Sequence, residues 1–132
     1  MIHNVECIIV QDEMKESGEN IVAAKSMAFA IRCVKLNRFL RQEKGEYDLS
    51  RQLLRCGTSI GANIKEAIRG QSKADFRAKM NISLKEASES EYWIELLHRT
   101  GYLRDEEAES LLTDCRELLK LLTSIVRHSA EG

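Results

Sequence analysis

No proline occurs anywhere in the 132 residues. Proline punctuates loops and breaks helices, so a chain without it is free to be helical over most of its length. Interruption then falls to glycine beside polar residues, as at Ser17-Gly18, Gly45, Gly70 and Gly101. Between these points apolar residues recur at steps of three and four rather than alternating, the spacing of amphipathic helices. No strand pattern of useful length, internal repeat or low-complexity segment competes with that reading.

The spacing predicts four helices. The first runs from Asn20, a plausible N-cap, to Lys44, with Val22, Phe29, Cys33, Leu36 and Leu40 as its apolar stripe, widened by Ile21, Ala28 and Phe39. The second runs from Asp48 to about Arg69. Ser72, with Asp75 three residues on, forms a capping-box variant for the third, which ends near Thr100 and presents Phe76, Met80, Ser83, Ala87, Ile94 and Leu97 inward. Asp105, Glu106 and Glu107 place negative charge at the start of the fourth, as the helix dipole favours. Its inner face is Ala108, Leu111, Leu112, Cys115, Leu118, Leu119, Leu122, Ile125 and Val126. Connections this short give an up-down-up-down antiparallel four-helix bundle over residues 20–128, with an N-terminal arm or tail at 1–19 and a C-terminal tail at 129–132. Ile8, Ile9 and Val10 are candidates for an extended contact in the arm. Ile82, Glu86 and Trp93 lie on one flank of the third helix and Tyr92 and Leu96 on its far side, more apolar surface than a small monomer leaves wet. Self-association is the expected consequence.

Composition narrows the function classes. Hydrophobic residues make up 43% and charged residues 31%, the balance of a single soluble domain. No secretory signal or membrane-length apolar window occurs, so a cytoplasmic protein with reduced thiols is expected. Cys7, Cys33, Cys56 and Cys115 show neither CxxC pairs nor zinc spacing, and no metal or cofactor is expected. The net charge of -1 conceals segments of -4, +8 and -5 at residues 1–19, 20–80 and 81–132. The basic residues are thus gathered in the first two helices.

The second helix carries the most information. Between Arg51 and Arg69 a helical projection gathers Arg51, Arg55, Thr58, Ala62, Lys65 and Arg69 in one stripe, with Leu53, Cys56, Ile60 and Ala67 opposite. Gly57 and Gly61 lie one turn apart on a third side, where another helix can approach closely. Joined to Lys25, Arg32, Lys35, Arg38 and Arg41 of the first helix, the stripe offers a cationic face to phosphates along a nucleic-acid backbone. The same cations can instead pair with the acidic third and fourth helices, within or between subunits, leaving a protein-protein interaction scaffold without nucleic-acid binding. The residues leave both readings open.

Enzymatic patterns fail on context. Gly57-Thr58-Ser59-Ile60-Gly61 matches the G-x-S-x-G nucleophile elbow, but that motif needs a strand turning into a helix, and only His3, His98 and His128 are available as bases. Gly61 is followed by Ala62-Asn63 rather than Lys-Ser/Thr, so no phosphate-cradling loop is present. Di-iron bundles need an inward Glu-x-x-His motif on each of two helices, a pair this chain does not supply. Asn63 and Glu66, at the core edge, are expected in buried hydrogen bonding between helices. Ser59, Glu86 and Trp93 join Gly57 and Gly61 as packing positions, and no catalytic residue is expected.

The run Leu53-Leu54-Arg55-Cys56-Gly57-Thr58-Ser59-Ile60-Gly61-Ala62-Asn63-Ile64, followed by Glu66-Ala67, resembles the signature of the four-helix-bundle proteins of 23S rRNA intervening sequences. Lys25-Ser26-Met27-Ala28-Phe29-Ala30, Ser72-Lys73-Ala74-Asp75-Phe76, Leu84-Lys85-Glu86-Ala87 and Tyr92-Trp93 extend the likeness over about residues 20–125. Cys56 stands where serine is usual. The resemblance implies a homopentameric ring of bundles. It also implies similarity to the accessory variability proteins of diversity-generating retroelements, with nucleic acid and a reverse transcriptase, in a ribonucleoprotein, as the partners. It supplies no catalytic residues.

Overall fold

The computed structural model describes the backbone of residues 2–131 and the side chains of residues 18–130. Four helices account for nearly all of it: α1 (Ile2–Lys44), α2 (Asp48–Ile68), α3 (Lys73–Arg99) and α4 (Asp105–Glu131). Among the described residues there is no strand, and no helix is long and apolar enough to cross a membrane.

The chain ends differ from the sequence expectation. The sequence spacing starts helix one at Asn20, yet α1 already includes Ser17 and Gly18, so Asn20 is an interior residue and not a cap. A single interior glycine costs about 1 kcal/mol relative to alanine, too little to end a helix that no proline interrupts. The packing of Ile8, Ile9 and Val10 lies outside the described side chains. At the other end α4 passes position 129 and continues to Glu131.

Each joint has a local cause. Gly45 has a φ of 63° and Gly101 a φ of 88°, left-handed values that glycine adopts without steric penalty. Beyond Gly45, the Glu46 N–H donates to the Leu40 carbonyl at 3.0 Å. Beyond Gly101, the Tyr102 N–H donates to that of Leu97 at 2.9 Å. Ser72 caps α3 as its sequence suggests, its hydroxyl accepting from the Asp75 N–H at 3.0 Å. The α2 start is held by a residue the periodicity does not single out. The buried Glu46 carboxylate accepts from the N–H groups of Asp48 and Leu49 at 3.0 Å each and of Ser50 at 2.7 Å. Three of the four donors that a helix start leaves unpaired are thereby satisfied.

Consecutive helices pack on one another, and α4 returns to α1. The core takes Val22, Phe29, Cys33 and Leu40 from α1, Leu53, Cys56, Ile60 and Ile64 from α2, Met80, Ala87, Ile94 and Leu97 from α3, and Leu111, Cys115, Leu118 and Leu122 from α4. Small residues set the helix spacing. A Cβ placed on Gly57 would collide with the Cys33 sulfur, and one on Gly61 would lie 3.0 Å from the Ser26 hydroxyl, so α1 is the helix that the two glycines admit. Between α2 and α3 the Ser83 hydroxyl donates to the Ile60 carbonyl at 2.8 Å, a bond between elements fully inside the core.

One face is left over. On α1, opposite the buried stripe, Met27 (61% exposed), Ile31 (47%) and Val34 (39%) follow one another at helical spacing, with Ala24 and Ala28 beside them and Ile21 and Phe39 at the edge. α1 is therefore apolar on two faces.

Candidate nucleic-acid interface

The cations expected to form one face divide into groups with different surroundings. On α1, Lys25 pairs with Glu117 of α4 and Arg32 with Asp114 at 2.6 Å. Arg32 also donates to the Ser110 carbonyl at 3.3 Å and its hydroxyl at 3.0 Å. These two cations tie α1 to α4. Lys35, Arg38 and Arg41 are exposed and have no carboxylate partner among the described residues. The Arg41 guanidinium stands over the Tyr47 ring, 5.6 Å from its centroid.

On α2 the stripe is interrupted in its first half. Arg51 pairs with Asp48 one turn earlier at 3.3 Å, both groups facing solvent. Arg55 reaches α3, where it pairs with Glu86 at 3.4 Å and with Glu89. Lys65 and Arg69 remain exposed without an acidic partner among the described residues. With Lys79, Glu66 and Asp75 they line a groove of about 630 Å³ where α2 passes into α3. α2 is 21 residues long, about 30 Å at 1.5 Å per residue, and the two groups of cations lie toward its opposite ends. Local ion pairing explains the split, because the acidic helices sit directly against Lys25, Arg32 and Arg55.

Cys56, Glu86 and Glu89 bring a thiol and two carboxylates within 4.8 Å of one another, a donor set of the kind that metals use. The guanidinium of Arg55 already lies against both carboxylates, and burial pushes the Cys56 thiol up to about 11, so it stays protonated at neutral pH. Cys33 and Cys115 are likewise raised by burial, each to about 12. These thiols behave as small core groups: Cys115 donates to the Ala87 carbonyl at 3.2 Å, and the Ser90 hydroxyl donates to the Cys56 sulfur at 3.2 Å.

Residues 57–61 lie inside α2 and form no elbow, and the Ser59 hydroxyl donates to the Arg55 carbonyl of its own helix at 2.7 Å. His98 is paired with Asp105 at 2.7 Å and His128 contacts the Ser124 carbonyl at 2.7 Å. The hydrogen bonding expected between helices at Asn63 and Glu66 takes another form. The Asn63 amide donates within α2 to the Ser59 carbonyl at 2.8 Å, while Glu66 is exposed and pairs with Lys79 of α3 at 3.6 Å. Trp93 packs against the core edge, stacked edge-on to Tyr92 at 5.0 Å, and its buried indole N–H has no partner among the described residues.

Sequence periodicity passes over Asn37 and Tyr47. Asn37 is 8% exposed, at the α1 position between Cys33 and Leu40 where an apolar residue would continue the stripe. That substitution of an amide for a hydrophobe is the signal available in the sequence. Tyr47 has none, because its position depends on how the Gly45 turn folds.

The family model described as 23S rRNA-intervening sequence protein matches residues 18–124. A crystal structure of a protein of unknown function from the S23 ribosomal protein family of Bacteroides thetaiotaomicron VPI-5482 is 54% identical. It covers 83% of this chain and 98% of its own, with a TM-score of 0.82. A comparison with curated proteins finds no match.

Proposed function

The chain belongs to the 23S rRNA-intervening sequence protein family, and from that premise we propose that it is a non-enzymatic, homo-oligomeric accessory protein that binds the backbone of RNA or DNA. The observation that carries the reading is the group Lys35, Arg38 and Arg41, exposed on α1 and without acidic partners among the described residues, unlike Lys25 and Arg32 on the same helix. Cations left unneutralised by their own fold are the ones available to displace counterions from phosphates. The bundle runs up-down-up-down, and copies associate through the outer stripe of α1. Because Met27, Ile31, Val34 and Arg38 succeed one another at steps of four, three and four, that contact leads directly into the cations. A closed ring, five-fold by the family likeness, repeats the basic group around its axis and gives a multivalent surface for a ribonucleoprotein with a reverse transcriptase. The setting is cytoplasmic.

Arg38→Glu combined with Arg41→Glu is expected to abolish retention of structured RNA and duplex DNA at low salt. Single neutralisations should each lower the slope of log affinity against log salt by about 1. Wild-type protein that binds neither polymer at low salt overturns the reading.

The second reading, a protein-interaction scaffold, is favoured by the pairing of Lys25, Arg32 and Arg55 with acids of neighbouring helices. In that case wild-type protein binds neither polymer, and Arg51→Glu combined with Arg55→Glu changes the oligomer seen by light scattering.

A further inference from the structure

The groove beside the α1–α2 turn has a composition that phosphate binding alone does not require. It encloses about 440 Å³ and is lined by Val34, Asn37, Arg38, Arg41, Gln42 and Tyr47, within the roughly 300–1,000 Å³ of small-ligand clefts. No lining residue is acidic, so an anionic ligand meets two guanidinium groups and no opposing charge.

Asn37 supplies an independent observation. It is more than nine-tenths buried, it lines the groove, and its amide makes no hydrogen bond to any described residue. Trp93 Nε1 is the one buried side-chain nitrogen or oxygen without a partner among the described residues, so the Asn37 amide atoms reach solvent through the groove, where a ligand can take the place of water as their partner. The Asn carboxamide offers a donor and an acceptor side by side, the pattern that pairs with the edge of a nucleobase. Tyr47 supplies the third component. Its ring is 55% exposed and already has the Arg41 guanidinium over it, so aromatic and guanidinium planes are both presented at the groove. Unpaired bases are held by stacking on such planes.

We propose that this groove takes a single unpaired nucleobase of a bound strand, stacked at Tyr47 and Arg41, its edge on the Asn37 amide and its phosphate at Arg38. The proposal rests on the nucleic-acid reading above and deepens it from backbone contact to recognition of single-stranded segments. It explains why an aromatic residue is left on the surface next to the unpaired cations. It also explains why an amide interrupts the α1 core stripe at the one level where the groove opens.

The test is fluorescence anisotropy with short labelled homopolymers of RNA and of DNA and with a duplex of equal length, at low salt. Single strands are expected to bind more tightly than duplex. Tyr47→Ala should weaken single-strand binding roughly ten-fold, as loss of one stacked base does, while leaving duplex binding unchanged. Tyr47→Phe should retain it, and Asn37→Ala should narrow the spread of affinities among the homopolymers. Thermal melts confirm that each variant is folded, and the RNA and DNA arms report which sugar the groove accepts. Unchanged single-strand binding in Tyr47→Ala, with loss of all binding in the Arg38→Glu and Arg41→Glu double variant, overturns the base-binding groove and leaves the backbone reading standing. Failure of the wild type to bind either strand form overturns both.

Discussion

Helices α1 and α4 are both amphipathic in sequence, but they end up in different positions. On α4 the buried residues Ala108, Leu111, Cys115, Leu118 and Leu122 account for its apolar stripe, and no large hydrophobic residue of that helix is exposed. On α1 an equally buried stripe is matched by a second on the opposite side, Met27, Ile31 and Val34, which the single chain leaves in water. Folding of one chain completes α4 and leaves α1 half used. On the oligomeric reading proposed above, the second face is the one that meets another copy.

The strongest test of this contrast is to remove comparable side chains from the two surfaces. Leu118→Ala deletes a fully buried side chain of α4 and is expected to cost roughly 2–5 kcal/mol in denaturant unfolding. Ile31→Ala on the outer face of α1 should cost less than about 0.5 kcal/mol in dilute protein. If copies associate through this face as proposed, it should nevertheless lower the melting temperature at high concentration. A large cost at Ile31 in dilute protein would break the comparison, because the outer stripe would then belong to the monomer's own stability.

The inner side of α1 gives the next largest effect. A methyl group at Gly57 meets the Cys33 sulfur, so Gly57→Ala should destabilise by about 1–3 kcal/mol despite the better helix propensity of alanine. Cys33→Ala in the same chain should recover much of that loss by vacating the volume. Gly61→Ala should be milder, since the Ser26 hydroxyl lies 3.0 Å from the added carbon and can rotate away. If the double variant at positions 33 and 57 is no better than Gly57→Ala, close approach of α1 is not what the glycine serves.

Periodicity makes the helices and the core legible because burial follows local spacing: Phe29, Cys33 and Leu40 fall inward at the angles their positions give. Gly45, Gly101 and Ser72 are equally readable, since their roles depend on backbone freedom or a single short side chain. The cationic face is only half readable. Whether Arg55 is free depends on which α3 residues stand opposite it, and a projection of one helix carries no information about its neighbour. The same holds for Asn37 and Tyr47, brought to one groove by the turn at Gly45. Position along α1 says even less about what covers its outer stripe, because a second apolar face looks the same in sequence whether it meets solvent, a copy or a partner.

The smallest expected effect compares the starts of α2 and α4. Burial alone would raise the Glu46 carboxyl, but the backbone N–H groups of Leu49, Ser50 and Asp48 together outweigh it and hold the group below its ordinary value of 4.5. A carboxyl lowered in the folded state stabilises above its unfolded value and loses that contribution as pH falls through the folded one. Glu46→Gln should therefore cost about 1 kcal/mol at pH 7, the size of a lost helix cap. The gap in melting temperature between variant and wild type should close as the pH is taken below about 4.5. At α4 the corresponding carboxylate is Glu107, lowered chiefly by the Arg104 side chain at 3.0 Å and only secondarily by its backbone N–H at 3.4 Å. That pair faces solvent, where screening leaves little net stabilisation, so Glu107→Gln should give a smaller and more salt-sensitive gap. Equal gaps at the two positions would mean that helix-start charge, rather than the three buried bonds at Glu46, accounts for the effect.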